Sequence, residues 1–377
     1  MPTAAPLAPA ATAAARAYLP ALTGIRAVAA YMVCLHHFNP FAEGPGLGGF
    51  LHNLLLEFHV GVPVFFVLSG FLICLRYYGT EQWTGRWWGR YLRNRVARIY
   101  PMFLLLTTLT FAPAWLAHAP DTTRLWLLNV TFLRGFFDAH KYSGIPQGWT
   151  LTVEECFYLW APVAFGLLRR RPRLLWLQPL GLLALGCALV LGLGPLAYEG
   201  LFGSFRFMLL YTFFGRAVEF YAGMQLALWY RRGLLRAPRG PRGLYTAAGL
   251  GLLLAAVLAL VAVRGQYPYG QEAPAGIALN NVALPAGIVL LFAGLLTEAT
   301  WLRALLASAP LQLLGRSSYV FYLIHFGTIK GWLRDYVTAS PAGQFVLLNV
   351  LAIGLYYLVE QPLNRLLRAP SAAEPAN

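Results

Sequence analysis

Residues 21–40 read ALTGIRAVAAYMVCLHHFNP, and the rest of the chain can be organised around them. The stretch reads as one membrane-crossing helix, with Arg26 near its start and His36 and His37 deep along it. Arg26 and His37 lie eleven residues apart. At about 100° per residue that is roughly three turns, so both side chains project from nearly one face. The rise between them is ~16 Å, about half of a ~30 Å hydrocarbon core. A cation at the membrane surface and a proton-transfer group near the midplane would then share one lining. Ionisable groups at such depth are expensive and mark function by default. The plainer alternative is that His37 only hydrogen-bonds inside the bundle. His36 points about 100° away and reads as a packing residue or one that supports the site from behind.

The 377 residues are 58% hydrophobic and 11% charged, with a mean hydropathy of +0.57. Soluble domains carry roughly 25% charged residues, so an all-α, polytopic membrane bundle is expected. The net charge of +15 does not point to nucleic acid. The arginines sit in short clusters between apolar runs, as the positive-inside rule produces. Cys34, Cys74, Cys156 and Cys187 all fall in apolar runs without metal-ligand spacing, and no metal site is expected. The Ala/Pro-rich residues 1–20 read as a disordered cytoplasmic leader and residues 366–377 as a disordered tail.

Ten spans are predicted between them, at about 21–40, 53–76, 100–118, 149–168, 174–193, 206–230, 244–263, 277–297, 310–330 and 342–364. With the N-terminus inside, the cytoplasmic segments hold 21 of the 29 basic residues and the outer segments 8, which favours N-in/C-in. The sixth span, with Arg206, Arg216 and Glu219, fits this pattern least well.

Between spans, Phe41–His52 reads as a short outer loop. Ser69–Gly70 in the second span is a small-residue pair suited to close helix packing. Thr84–Arg98 mixes Trp with Arg and reads as an interfacial cytoplasmic segment, with Pro101 opening the next span. Its Arg95 and Arg98 are neighbours on a helix and could grip phosphates, or could serve only to set topology. Segment 119–148 has a helix-start signal at Asp121 and many aromatics, and could shape an entrance for an acceptor. Glu154 and Glu155 fall inside the fourth span on adjacent faces, where one carboxylate could orient a histidine or pair with an arginine. Spans five, seven and eight read as scaffold. Tyr319, Tyr322 and His325 line one side of span nine. Glu360 and Arg365 lie near the cytoplasmic boundary, where a packing or ion-pair role is expected rather than catalysis.

Several of these stretches together resemble one family. Arg26–x10–His37, GVPVFFVLSGF at 61–71, Arg95-Val-Ala-Arg98-Ile-Tyr-Pro, WTLTVEECFY at 149–158, SSYVFYLIH at 317–325 and VEQP at 359–362 are similar, in order, to motifs of the acyltransferase-3 family of integral-membrane acyltransferases. The resemblance implies a ten-helix enzyme of the cytoplasmic (inner) membrane. It would move an acyl group, commonly acetyl, from cytoplasmic acyl-CoA to a hydroxyl, often of a glycan, with no bound cofactor. On this resemblance Arg26, His37 and Glu154 would be catalytic, with Glu154 supporting His37. Arg95 and Arg98 would bind the donor's phosphates, and Ser69, Trp149, Glu155, Tyr322 and His325 would shape the pocket. Threonines at 150 and 152, Cys156, Pro63 and the absence of a proline after His325 depart from the usual pattern. The appended hydrolase-like domain of some relatives is expected to be absent. A transporter or flippase is the rival reading, since intramembrane polar residues also mark substrate pathways.

Overall fold

The computed structural model describes residues 18–81, 83–238 and 242–369. The expected disordered leader and tail fall mainly outside these residues, as do Arg16 and Arg239 of the charge count. Among the described residues the elements are all helical, apart from one isolated antiparallel bridge between Phe137 and Leu201. Fourteen helices matter here. They are α1 (Pro20–His37), α2 (Gly46–Tyr77), α3 (Gly85–Leu116), α4 (Thr122–Val130), α5 (Trp149–Arg170), α6 (Leu174–Leu193), α7 (Phe205–Tyr211), α8 (Phe213–Arg231), α9 (Leu244–Val263), α10 (Pro274–Thr297), α11 (Trp301–Leu306), α12 (Ala309–Ile324), α13 (Thr328–Tyr336) and α14 (Pro341–Leu367).

Seven of the described helices are long and apolar enough to cross a membrane: α2, α3, α5, α6, α9, α10 and α14, with α5 extended back to Pro146 by a tight turn. The predicted first, sixth and ninth spans are helical but fall short of that standard. α1 has 18 residues and carries Arg26 and both histidines. The sixth is cut in two at Thr212. The ninth ends at Ile324, so His325 caps the helix instead of lying within it.

Buried polar side chains surround the break at Thr212. Arg216 is 1% exposed and donates to Glu219 (2.9 Å), which is fully buried beside it. Within α10 a wider π-turn at Leu279–Ala283 presents Asn281, whose amide donates to the Leu209 and Gly215 carbonyls at 3.0 and 3.1 Å. The Leu209 carbonyl, whose helical partner is lost at the break, is thereby satisfied, as a buried chain requires.

Two other expectations change. Phe41–His52 is not all loop, because α2 begins at Gly46 and runs through a tighter turn at Glu57–Val60. Thr84–Arg98 is not a separate interfacial helix: it is the first half of α3, a single helix of 32 residues with Pro101 inside it. Thr84 caps that helix by accepting from the Trp87 amide (3.3 Å). Pro101 cannot donate to the Ala97 carbonyl one turn earlier. Asn364 of α14 donates to that carbonyl instead, at 3.0 Å. Pro162 in α5 frees the Tyr158 carbonyl in the same way, and the Tyr91 hydroxyl donates to it at 2.8 Å. Both prolines therefore sit in mid-helix because a partner helix replaces the lost bond.

Packing around the centre depends on close backbone approach. A Cβ at Gly70 would collide with the Phe220 carbonyl, and one at Gly223 with the Val67 carbonyl, so α2 and α8 meet backbone to backbone. Gly315 likewise lies against the Thr23 carbonyl, which seats α12 directly on α1. That second contact places the ends of α1 and α12, with their histidines, side by side.

Candidate active site

A cavity of about 140 Å³ lies between α1, α2, α3, α5 and α12. Arg26, Ser69, Arg95, Arg98, Glu154 and Tyr322 of the predicted site line it. Arg26 projects from the second turn of α1, and Arg95 and Arg98 from the middle of α3. Arg98 is ion-paired with Glu360 at the end of α14, so that carboxylate has the role expected at the boundary. Arg95 differs. Its guanidinium lies over the Tyr77 and Tyr158 rings at 5.5 and 5.6 Å, and its Nε finds no partner among the described residues. Neither Arg26 nor Arg95 forms an ion pair among the described residues. Three cations and one carboxylate, Glu154, thus line the cavity, and Glu360 pairs with Arg98 from outside the wall, which leaves an excess positive charge suited to an anion.

Glu154 faces this cavity and accepts hydrogen bonds from the Ser69 and Tyr158 hydroxyls. The expected support of His37 by Glu154 is therefore not a direct contact, because both side chains are committed elsewhere. Gly70 supplies the close packing anticipated for the Ser69–Gly70 pair, and Ser69 itself turns its hydroxyl to the carboxylate. Glu155, one residue on, lies off the cavity wall.

His37 and His325 do not line the cavity either; the Tyr322 ring, which does, lies 5.6 Å from the His325 ring. His37 Nδ1 lies 3.0 Å from His325 Nε2, and His325 Nδ1 lies 2.8 Å from the Tyr322 carbonyl. A carbonyl only accepts, so His325 Nδ1 must carry a proton. With both rings neutral, His325 Nε2 is then an acceptor and His37 Nδ1 the donor to it. The proton of His37 is fixed on Nδ1, and its Nε2 lone pair is left free. Phe326 stacks on the His37 ring at 4.5 Å and 7°, and His325 is fully buried. The imidazole is held in one orientation inside the protein. His36 turns away, as expected, with its Nδ1 2.7 Å from the Leu56 carbonyl.

One turn joins the two parts. Gln147 donates to the Tyr322 and Leu323 carbonyls at 2.8 and 2.9 Å, and the Thr150 hydroxyl lies 3.2 Å from that of Tyr322. Fully buried Arg134 donates to the Ser143 and Ile145 carbonyls and so fixes the turn from behind. Trp149 lies on its far side, edge-on to Tyr211 at 4.8 Å. Sequence reasoning missed the parts played by Tyr158, Thr150, Gln147 and Arg134. Arg134 carried a weak signal, as a cation flanked by aromatic residues in the outer segment. Among the described residues no group of three or more His, Cys, Asp or Glu side chains could hold a metal.

Residues 19–360 match the acyltransferase-3 family, described as an acyltransferase domain. The chain is 30% identical to the acyltransferase MdmB of Streptomyces mycarofaciens over 95% of both chains. It is 27% identical to the peptidoglycan O-acetyltransferase OatA of Listeria monocytogenes, over 83% of this chain and 50% of that one. It is 26% identical to the putative peptidoglycan O-acetyltransferase YrhL of Bacillus subtilis, over 92% of this chain and 55% of that one. The chain therefore spans about half the length of these last two relatives. No solved structure matches it. With the ordered motifs, the helical bundle and the matched region in agreement, the chain belongs to the acyltransferase-3 family of multi-pass membrane acyltransferases.

Proposed function

We propose that this protein transfers an acyl group, acetyl in the simplest case, from a cytoplasmic acyl-CoA to a hydroxyl of a glycan or glycan-like acceptor. In this reading it is a ten-span, N-in/C-in protein of the cytoplasmic membrane that uses no bound cofactor. The observation that carries the reading is the free Nε2 of His37, aimed by its bond to His325 and set next to a cavity with excess positive charge.

Arg95 and Arg26, the cations without carboxylate partners, receive the donor's phosphates, and Arg98 contributes from its fixed pair with Glu360. The pantetheine arm runs past Ser69 and Glu154 towards Tyr322. His37 Nε2 takes the proton of the acceptor hydroxyl as the oxygen attacks the thioester carbon. The carbon–sulfur bond breaks, and the leaving thiolate takes that proton back from Nε2. The charge that appears briefly on the imidazole is stabilised through Nδ1–H by His325. The names of the relatives, an acyltransferase and two peptidoglycan O-acetyltransferases, support acyl transfer to oxygen.

The test is release of CoA thiol from acetyl-CoA by the purified full chain. His37→Ala should reduce release by ~10²–10⁴-fold, the usual worth of a positioned general base. Arg95→Ala should instead raise the KM for acetyl-CoA. Turnover that survives His37→Ala, or a wild-type protein that never cleaves the thioester, would overturn the assignment. The second result would favour a transporter.

A further inference from the structure

A second cavity, of about 450 Å³, opens at the other end of the bundle from the three arginines. The helix directions establish this. α5 starts beside it at Trp149 and runs away to Arg169, which pairs with Glu81 just past the end of α2. α8 starts beside it at Phe213 and runs to Arg231, which donates to the Leu75 carbonyl near the same end of α2 at 2.9 Å. The inner wall of the cavity is Tyr211, whose ring meets Trp149. Trp149 is followed by Thr150, which lines the first cavity. The turn at residues 147–150 therefore stands between the two chambers, and through Gln147 it also holds the carbonyls next to His325.

The chemistry of the second cavity is specific. Tyr142 and Tyr211 meet edge to face at 5.9 Å, with their hydroxyls 2.8 Å apart. Lys141 lies over both rings, at 4.9 and 5.2 Å, and is paired with Asp138. Arg206 faces Glu272 at 4.0 Å. Two cations thus meet two carboxylates, so the wall has no net charge to attract a phosphate. Four charged side chains equally disfavour an acyl chain. A neutral ring with an apolar face and a rim of hydroxyls suits both features. Its face lies on the tyrosines, and its hydroxyls bridge the paired charges. The volume lies within the usual 300–1,000 Å³ range of small-molecule sites.

We propose that this cavity is the docking site for the acceptor and that it takes a neutral pyranose ring, presenting one hydroxyl past Trp149 towards His37 Nε2. The proposal rests on the acyl-transfer reading above. That transfer breaks the thioester carbon–sulfur bond, forms a carbon–oxygen bond to the sugar, and moves the hydroxyl proton by way of His37 to the thiolate.

The experiment uses the purified full chain, acetyl-CoA, and three acceptor probes: methyl β-glucopyranoside, methyl N-acetyl-β-glucosaminide and, as a control without a ring, glycerol. Products are read by mass spectrometry and CoA release in parallel. At least one pyranoside should be acetylated, and glycerol much less. Tyr142 is 50% exposed, so Tyr142→Ala leaves the core intact. Tyr142→Ala and Glu272→Gln should each raise the acceptor KM roughly five- to tenfold, with the KM for acetyl-CoA held within about twofold. Acceptor KM values that do not move, values for both substrates that rise together, or glycerol accepted as well as the rings would overturn the site. If acetyl-CoA is cleaved but no pyranoside is acetylated, this docking site fails and the acyl-transfer reading stands. If no CoA is released at all, that earlier reading fails and takes this one with it.

Discussion

His325→Ala is the most informative single change in the catalytic arrangement. It removes the acceptor 3.0 Å from His37 Nδ1 and leaves that N–H without a partner in a buried setting. A hydrogen bond to a group that becomes charged is worth about 1.5–3 kcal/mol. At 1.36 kcal/mol per decade, kcat should fall roughly 10- to 150-fold. The KM for acetyl-CoA should stay within about twofold, because His325 lies outside the arginine-lined cavity. His325→Gln should recover part of the loss, since its amide can donate to the Tyr322 carbonyl while its oxygen accepts from Nδ1. The assay is steady-state CoA release, run beside thermal unfolding to confirm that each variant is folded. A folded His325→Ala protein with kcat unchanged, or with its loss confined to KM, would refute the tautomer argument. So would a Gln variant no better than Ala.

Two further predictions concern the frame. Arg98→Ala should destabilise the protein by ~3–5 kcal/mol, because Glu360, 3% exposed, loses its partner; adding Glu360→Gln should restore most of the melting temperature in detergent. Gly70→Leu should lower that melting temperature by driving a side chain into the Phe220 carbonyl, at a cost of about 1–3 kcal/mol, whereas Gly181→Leu, facing open space, should leave it unchanged.

Much of the frame could be read from hydropathy alone. The fifth and seventh predicted spans, 174–193 and 244–263, coincide with α6 and α9 residue for residue. They are uniformly apolar, and nothing but lipid and packing determines their ends. The prediction failed where a second segment changes the local rule. Pro101 looks like a helix start until Asn364, 263 positions later, takes the bond it forfeits. The sixth span looks continuous until Asn281 stabilises a break in it. The site divides in the same way. Helical spacing put Arg26 and His37 on nearly one face of α1, because the face of a helix is a local property, but the expected common lining did not follow: Arg26 lines the cavity, and His37 stands outside its wall against His325. Spacing could not name His325 as the partner of His37, nor Ser69 as a partner of Glu154, although Tyr158, one turn on from Glu154 in the same helix, was within its reach. The first two pairings depend on which faces meet. The second cavity was harder still, since its charges are scattered over residues 138, 141, 206 and 272, each too ordinary alone to draw notice.

The length of α3 has a bearing on how a water-soluble donor would arrive. At 1.5 Å per residue its 32 residues extend about 48 Å, against a hydrocarbon slab of ~30 Å. Even a lean of 40°, the steep limit for such helices, accommodates only about 39 Å. At least ~9 Å of rod must therefore rise clear of the oily layer. Arg86, Arg90 and Arg93, all solvent-facing, occupy the starting turns of this helix. A multiply charged nucleotide would meet this mast in open solution, at a height where dissolved ions screen attraction within about 8–10 Å. Capture would then weaken as ionic strength rises, while the buried steps beyond it would not.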